Sequence, residues 1–441
     1  MRWTICLVLV GCIVGCVKGN PVDLGEFHGT GGTLAIEGCG YSVTTREGAE
    51  APATPIELIG PDPTPKLIHL GLICDPKTSA VAVWRTNDEV TRSSTIRYAK
   101  GANLQPGDLS IEKQGIVFGY QSGGGDGQEH VYPVHQGHMC GLEPGTTYSY
   151  QVGSADPFTH AEHFSPVYTF HTAPDIVANP DAEVVLGFVG DSRGGYDIWS
   201  EMLEQLQMRS PDIVMFSGDA VTLGITQPEW EDFFGRAEPL FATVPMISAH
   251  GNHEANAINY YTQMALPGDE QNYGIDYGYA HITVANDTPE DPNDVAGAFR
   301  DKLQADFAAS QAARWKLFMH HQPMWSASTK HGSSTDLQEA WQPLVDQYGI
   351  DLVLNGHDHD YEVSLPLNGQ NVQASTATGA VYIVAGSAGA ELYDNGMGFW
   401  TNYSEKTYSA ATIHVRRDRM TFAGFRQDGS AIPTGFDKSK P

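Results

Sequence analysis

An all-β sandwich followed by a layered α/β domain is the fold this sequence predicts, on three observations. Between Lys66 and Thr172, short alternating runs separated by turn residues read as antiparallel strands. From Glu183 onward, strand-like runs alternate with segments of helical spacing, the signature of an α/β domain. Five apolar runs in that second part (VVLGFV, DIVMFS, VPMISAH, WKLFM and DLVLN) each lead directly into side chains that bind metal ions. At 441 residues the chain is long enough for two well-buried cores.

At the start of the chain, Met1-Arg2-Trp3 precedes ICLVLVGCIVGC, the charge and short apolar stretch of a secretory signal, too short for a stable membrane span. Ile13-Val14-Gly15-Cys16 resembles a lipobox, whose cysteine is lipidated and becomes the mature N-terminus. Leu9-Val10-Gly11-Cys12 fits almost as well, and plain secretion is the alternative. Val17 after Cys16 leans towards the outer membrane. Residues 1–16 are therefore expected to be a signal peptide with a lipobox. The protein is expected to be exported, touching a membrane only through its lipid or lying free outside the cytoplasm. Residues 17–62, rich in Gly, Thr, Pro and Glu, are expected to be a linker, with at most an edge strand near Gly40-Val43.

The sandwich is assigned to 63–174, with strands over Ser79-Trp84, Thr95-Ala99, Thr147-Val152 and Val167-His171. Gly123-Gly124-Gly125-Asp126-Gly127 has no Lys-Ser/Thr after it and reads as a flexible loop, not a phosphate cradle. His130, His135, His138 and His160 lack paired spacing and read as surface or strand residues. Of Cys39, Cys74 and Cys140, the expected disulfide is Cys74 with Cys140, because both fall in the sandwich. A linker follows from Thr172, and the α/β domain is assigned to 180–430, with helical spacing near 198–206, 227–240, 298–312 and 336–348. Late strands are expected at Val381-Ala385, Thr412-Val415 and Thr421-Phe425.

The chemistry sits in the five cassettes. Gly190-Asp191 and Gly218-Asp219 put carboxylates beyond the carboxyl ends of strands, where ligands of α/β sheets collect. One such carboxylate can bridge two cations. Gly251-Asn252-His253-Glu254 offers a neutral amide oxygen and, in His253, an imidazole able to protonate a leaving alkoxide. Of His320 and His321, strand alternation sends only one to the metals, and Pro323 favours His321. His357 and His359, one residue apart in Gly356-His357-Asp358-His359, share one face. Hard oxygens with imidazoles suit a two-metal hydrolytic centre.

The balance of 53 acidic to 25 basic residues gives a net charge of −28. That charge serves solubility and repels nucleic-acid backbones and anionic membranes at long range, so no nucleic-acid partner is expected.

The ordered set GD, GD, GNHE, HxP and GHxH over residues 190–359 resembles the calcineurin-like metallophosphoesterase superfamily. Together with the sandwich that ends in TYSYQVG and YTFHTAPD, it resembles two-domain purple acid phosphatases. Within the sandwich, Leu142–Tyr150 is similar to the tyrosine-corner region of fibronectin type III domains. The resemblance implies that Asp191, Asp219 and His359 hold one ion, and that Asp219, Asn252, His321 and His357 hold another. It implies His253 as the acid and Lys330 and His331 as phosphate contacts; Glu254, next to His253, is expected to hold its ring in place. The implied cofactors are two divalent or mixed-valence ions of iron, manganese, zinc or calcium, and the implied substrates are small phosphate esters.

Two departures matter. The tyrosine that follows the bridging aspartate in purple acid phosphatases is Thr222 here, so a colourless protein is expected. The histidine that many superfamily members carry after the first aspartate is Arg193, which either binds a phosphate oxygen or pairs with an acid. The leading reading is a phosphomonoesterase. The alternatives are a phosphodiesterase or nucleotidase with the same site, and a non-catalytic surface-binding protein with a degenerate one.

Overall fold

The computed structural model describes residues 30–47, 58–89, 91, 93–123, 129–155 and 161–440. The expected signal and lipobox, most of the glycine loop (124–128) and His160 lie outside the described residues.

The first domain is built as two facing sheets, but only one of them belongs to it alone. That sheet holds Thr95–Lys100, Ile111–Gln114, Thr147–Ala155, Glu162–Phe164 and Tyr168–His171. The other, with Lys66–Gly71, Ser79–Arg85, Ile116–Gly123 and Glu129–Cys140, continues into the second domain through a parallel pairing of Met246 with Gly71. The result is one ten-stranded sheet running through both halves of the chain, so one sheet of the expected sandwich is shared with the α/β domain. Inward-facing Leu70, Ala82, Trp84, Ile96, Tyr98, Tyr150 and Val152 fill the space between the facing sheets. Tyr148 Oη accepts the Glu143 N–H at 3.0 Å, closing the Leu142–Tyr150 turn.

The linker expectation, which allowed an edge strand near Gly40-Val43, is corrected over residues 30–47. Thr30–Ala35 and Ser42–Glu47 form an antiparallel hairpin, whose Tyr41 packs with Ile73, Val81 and Tyr132. Its turn is tied by a Cys39–Cys140 disulfide with Cα atoms 5.2 Å apart. Cys74 lies outside the bridge. The expected Cys74–Cys140 pair fails because Cys39, assigned to the linker, is carried onto the sheet by the hairpin.

The second domain stacks two sheets. In the first, Val184–Val189, Ile213–Phe216 and Met246–Ser248 run parallel. In the second, Ala280–Val284, Trp315–Met319, Leu352–Asn355 and Val381–Ala385 run parallel. Side-chain alternation decides which face meets which layer. Leu317, Leu352, Leu354 and Ile383 join Leu186, Phe188 and Val214 in the core shared with the first sheet. The intervening Phe318, Val353 and Tyr382 face outward onto helical Leu303, Phe307, Trp341 and Leu344.

Helix Gln227–Phe241 starts on Pro228, whose fixed φ suits a first turn, and buries Trp230, Phe233, Phe234, Ala237, Leu240 and Phe241 at helical spacing. This helix also clamps the halves together. Its Glu231 pairs with buried Arg85 and with Lys66 of the first domain, and Tyr168 Oη donates to Glu238 at 2.8 Å. Helix Tyr196–Gln207 and helix Ala298–Ala309 fall where their apolar spacing predicts. The single helix expected near 336–348 is two, Thr335–Ala340 and Gln342–Tyr348, with Pro343 opening the second.

Candidate metal centre

All five cassettes lie just beyond the carboxyl ends of parallel strands at the seam between the two sheets. The backbone there is forced. Asp191, Asp219 and His357 have φ of 56°, 60° and 68°, a left-handed conformation that few non-glycine residues hold. The glycines allow the approach: a Cβ on Gly251 would lie 2.3 Å from Asp219 Oδ1, and one on Gly356 2.3 Å from Asp191 Oδ2.

Four donor atoms converge. His321 Nε2 lies 3.2 Å from both Asp219 Oδ1 and Asn252 Oδ1. His357 Nδ1 lies 3.0 Å from Asn252 Oδ1 and 3.3 Å from His321 Nε2. His321 Nδ1 donates to the Ser217 carbonyl at 2.8 Å, which aims Nε2 at the cluster. Burial opposes a charge on His321, but the Asp219 carboxylate, with Asp191 and Asp287, holds its pKa well above the ordinary value. Burial, with the positive charge of His321, pushes His357 down to about 2, so this ring stays neutral. Burial works against the charge of Asp219 too, yet His321 and His253 hold it below the usual carboxylate range.

The second expected set is arranged differently. Asp191 accepts the His357 N–H on both oxygens, at 3.0 and 3.1 Å, and burial raises its pKa well above the ordinary carboxylate value. His359 Nδ1 donates to the Glu391 carbonyl at 2.7 Å, leaving Nε2 as an acceptor. That acceptor is met by Arg193 Nη2 at 3.2 Å, while Arg193 Nε donates to Asp219 Oδ2 at 3.3 Å. The guanidinium thus occupies the space between two of the three expected ligands.

His253 stands at the rim, with Nδ1 donating to the Thr222 carbonyl at 2.6 Å and Nε2 3.8 Å from Asp219 Oδ2. Glu254 does not steady this ring, a correction to the expected catalytic part. Its buried carboxylate accepts the N–H groups of Asp219, Ala220 and Gly251 at 3.0, 2.6 and 2.8 Å. It therefore fixes the backbone of two cassettes, and burial beside Asp219 raises its pKa to about 7.

Lys330 and His331 close over the site on a loop held by Asp358, whose Oδ2 accepts from Ser326 Oγ at 2.6 Å and Gly332 N at 3.2 Å. The His331 ring lies 4.4 Å from that of His357, and Lys330 Nζ sits 4.0 Å over the Tyr393 ring. His320 points away from the cluster, bound to Asp287 at 2.9 Å.

Two family descriptions match this arrangement: "Calcineurin-like phosphoesterase" over residues 184–361 and "Purple acid Phosphatase, N-terminal domain" over residues 65–172. The chain carries a calcineurin-like metallophosphoesterase domain behind a purple acid phosphatase N-terminal domain. It is 29% identical over 394 residues to Acid phosphatase type 7 of Homo sapiens, covering 80% of this chain and 86% of that one. It is 26% identical over 309 residues to Probable inactive purple acid phosphatase 1 of Arabidopsis thaliana, covering 59% and 49%. Its fold is similar to that of a purple acid phosphatase from yellow lupin (Lupinus luteus) seeds, with a TM-score of 0.70 at 18% identity, over 85% of this chain and 74% of that one.

A metallophosphoesterase domain implies metal ions, and the converging set fits one. Two oxygens and two imidazole nitrogens at the spacings above match edges of a coordination shell with bonds of about 2.0–2.2 Å. Among the described residues, Asp219, His321 and His357 form the group of acidic and histidine side chains close enough to share an ion. The set of Asp191, Asp219 and His359 does not fit a second, because Arg193 already bonds Asp219 Oδ2 and His359 Nε2.

Several parts of the metallophosphoesterase site carry no motif. Tyr393 stacks on His359 with ring centroids 4.0 Å apart and accepts from Arg193 Nη2 at 3.5 Å. It is one of 19 tyrosines, and nothing in its spacing marks it. Asp287 and the carbonyls of Thr222, Ser217 and Glu391 are likewise placed by the fold. Asp358 sits between the two histidines of its cassette, a position that could have been read.

Proposed function

We propose that this chain is an exported, metal-dependent hydrolase of small phosphate monoesters. The observation that carries the reading is the convergence of Asp219 Oδ1, Asn252 Oδ1, His321 Nε2 and His357 Nδ1 beneath His253. A divalent ion bound there would lower the pKa of water and stabilise charge on the phosphoryl group. The chain's own residues do the rest. With Nδ1–H fixed on the Thr222 carbonyl, His253 presents Nε2 as the atom that gives a proton to the departing oxygen. Lys330 and Arg193 place positive charge at the mouth of an otherwise acidic protein, and the His331 ring, which burial keeps towards its neutral form, lies beside them. A net charge of −28 favours a small monoester over a polyanion. Export is supported by the apolar leader and by the Cys39–Cys140 bridge, which persists in oxidising compartments.

The test is metal content and hydrolysis measured on one preparation, with nitrophenyl phosphate beside its bis-ester and Asp219→Asn as control. Bound metal and monoester turnover, both lost in the variant, are expected. Faster bis-ester cleavage would favour a diesterase. Bound metal without turnover of either ester would favour a binding protein, a reading that the guanidinium in the expected second ion site supports.

A further inference from the structure

The geometry points to Arg193 as a built-in replacement for one of the two ions, so that the chain works with a single metal and a guanidinium. The inference rests on the proposed metal site at Asp219, Asn252, His321 and His357. It concerns only the neighbouring position, where the sequence set Asp191, Asp219 and His359 leads one to expect a second ion.

The Asp219 and His359 donors expected there are taken up by the guanidinium, while His359 Nε2 also lies 3.7 Å from Asp191 Oδ1. Both oxygens of Asp191 accept the His357 N–H. Asp219 Oδ2 takes the Nε–H of Arg193, and His359 Nε2 takes an Nη2–H. The Nδ1–H of His359 is fixed on the Glu391 carbonyl, so its ring has one lone pair to give, and the guanidinium has it. No fourth donor comes from residue 222. Thr222 is exposed, its carbonyl holds His253 and its N–H is bound by Glu229.

The arginine is positioned from both ends. Its N–H donates to the Asp219 carbonyl at 3.3 Å, and Tyr393 flanks its tip while stacking on His359. A cation placed beside this group would meet a like charge at close range with little water between them. Nη1 has no hydrogen-bond partner among the described residues, which leaves two N–H groups for phosphoryl oxygens. A guanidinium supplies charge and fixed donors, but it does not acidify water. The division of labour follows: an ion held by Asp219, Asn252, His321 and His357 would supply the acidified water, and Arg193 would hold the phosphoryl group.

The experiment is manganese stoichiometry. Wild type, Arg193→His and Arg193→Ala are stripped with chelator, loaded with Mn(II), desalted, and measured by elemental analysis and electron paramagnetic resonance, with far-ultraviolet circular dichroism as the check on folding. Wild type is expected to hold one ion per chain with the six-line signal of an isolated Mn(II). Arg193→His is expected to rise towards two, with that signal broadened by coupling between neighbouring ions. Two ions in wild type would overturn the inference, as would a folded Arg193→His and Arg193→Ala pair that both stay at one. No ion in wild type would overturn the metal-site reading, and this inference with it.

Discussion

Replacing His253 with Ala separates an acid from a mere binding residue, because the loss must depend on what leaves. His253 is held by one strong bond, Nδ1–H to the Thr222 carbonyl at 2.6 Å, and its free Nε2 faces the rim 3.8 Å from Asp219 Oδ2. The side chain is only 27% exposed, so water does not readily take its place. A positioned general acid contributes about 10²–10⁴-fold, or about 2.7–5.5 kcal/mol of transition-state stabilisation. That contribution is needed in full when the leaving group is an alkoxide and hardly at all when it is nitrophenolate. His253→Ala should therefore lower kcat on an alkyl phosphate by about 10²-fold or more. On nitrophenyl phosphate the loss should stay within about tenfold, because that leaving group departs without a proton. The assay is kcat and KM on both substrates with metal content held equal. Equal losses on the two substrates, or a change in KM alone, would refute the assignment of His253 as proton donor.

Two further outcomes test the frame around the site. His281 lies between Asp276 and Asp306, at 2.7 and 3.0 Å; burial opposes its charge, but these bonds win and raise its pKa to about 9. A raised folded-state pKa means that its stabilisation is full below the unfolded value of about 6.5 and is lost as pH climbs through about 9. The term is on the order of 3 kcal/mol, and thermal melts from pH 6 to 10 should show the decline in wild type and a flatter profile in His281→Gln. For the disulfide, Cys39→Ser opens a closure of 101 residues, which a chain-entropy estimate puts at about 4–5 kcal/mol. The expected result is a lower melting temperature with unchanged kcat, and an unchanged melting temperature would show that the bridge contributes no stability.

What could be read in the sequence was whatever a strand end delivers. Asp219, Asn252, His321 and His357 follow apolar runs directly, so strand register alone carries them to one seam. Alternation allowed only one of His320 and His321 to reach the site and Pro323 favoured His321, and the structure turns His320 onto Asp287. What stayed hidden depends on tertiary approach. The partner of the His253 ring is a backbone carbonyl, and carbonyls have no letter in a sequence. Glu254 looked like that partner because it is adjacent, yet the left-handed turns at Asp219 and Ala255 bring its carboxylate under three amides instead. The two readings of Arg193 could be weighed only once His359 and Tyr393, far along the chain, were seen around its tip. The cysteine pairing failed for a similar reason, since a hairpin in a Gly- and Thr-rich stretch gives little periodic signal.

The Met246–Gly71 pairing makes the two halves of this protein one hydrogen-bonded fabric. Cutting the chain near Thr172 would strip the strand Met246–Ser248 of a neighbour and bare a row of amides and carbonyls, the kind of edge that recruits other chains. Gly71 sits at that seam because a Cβ there would come within 2.7 Å of the Ala265 carbonyl oxygen. The leading half is thus no detachable escort, and its orientation on the second domain is inherited from the weave rather than from a swivel.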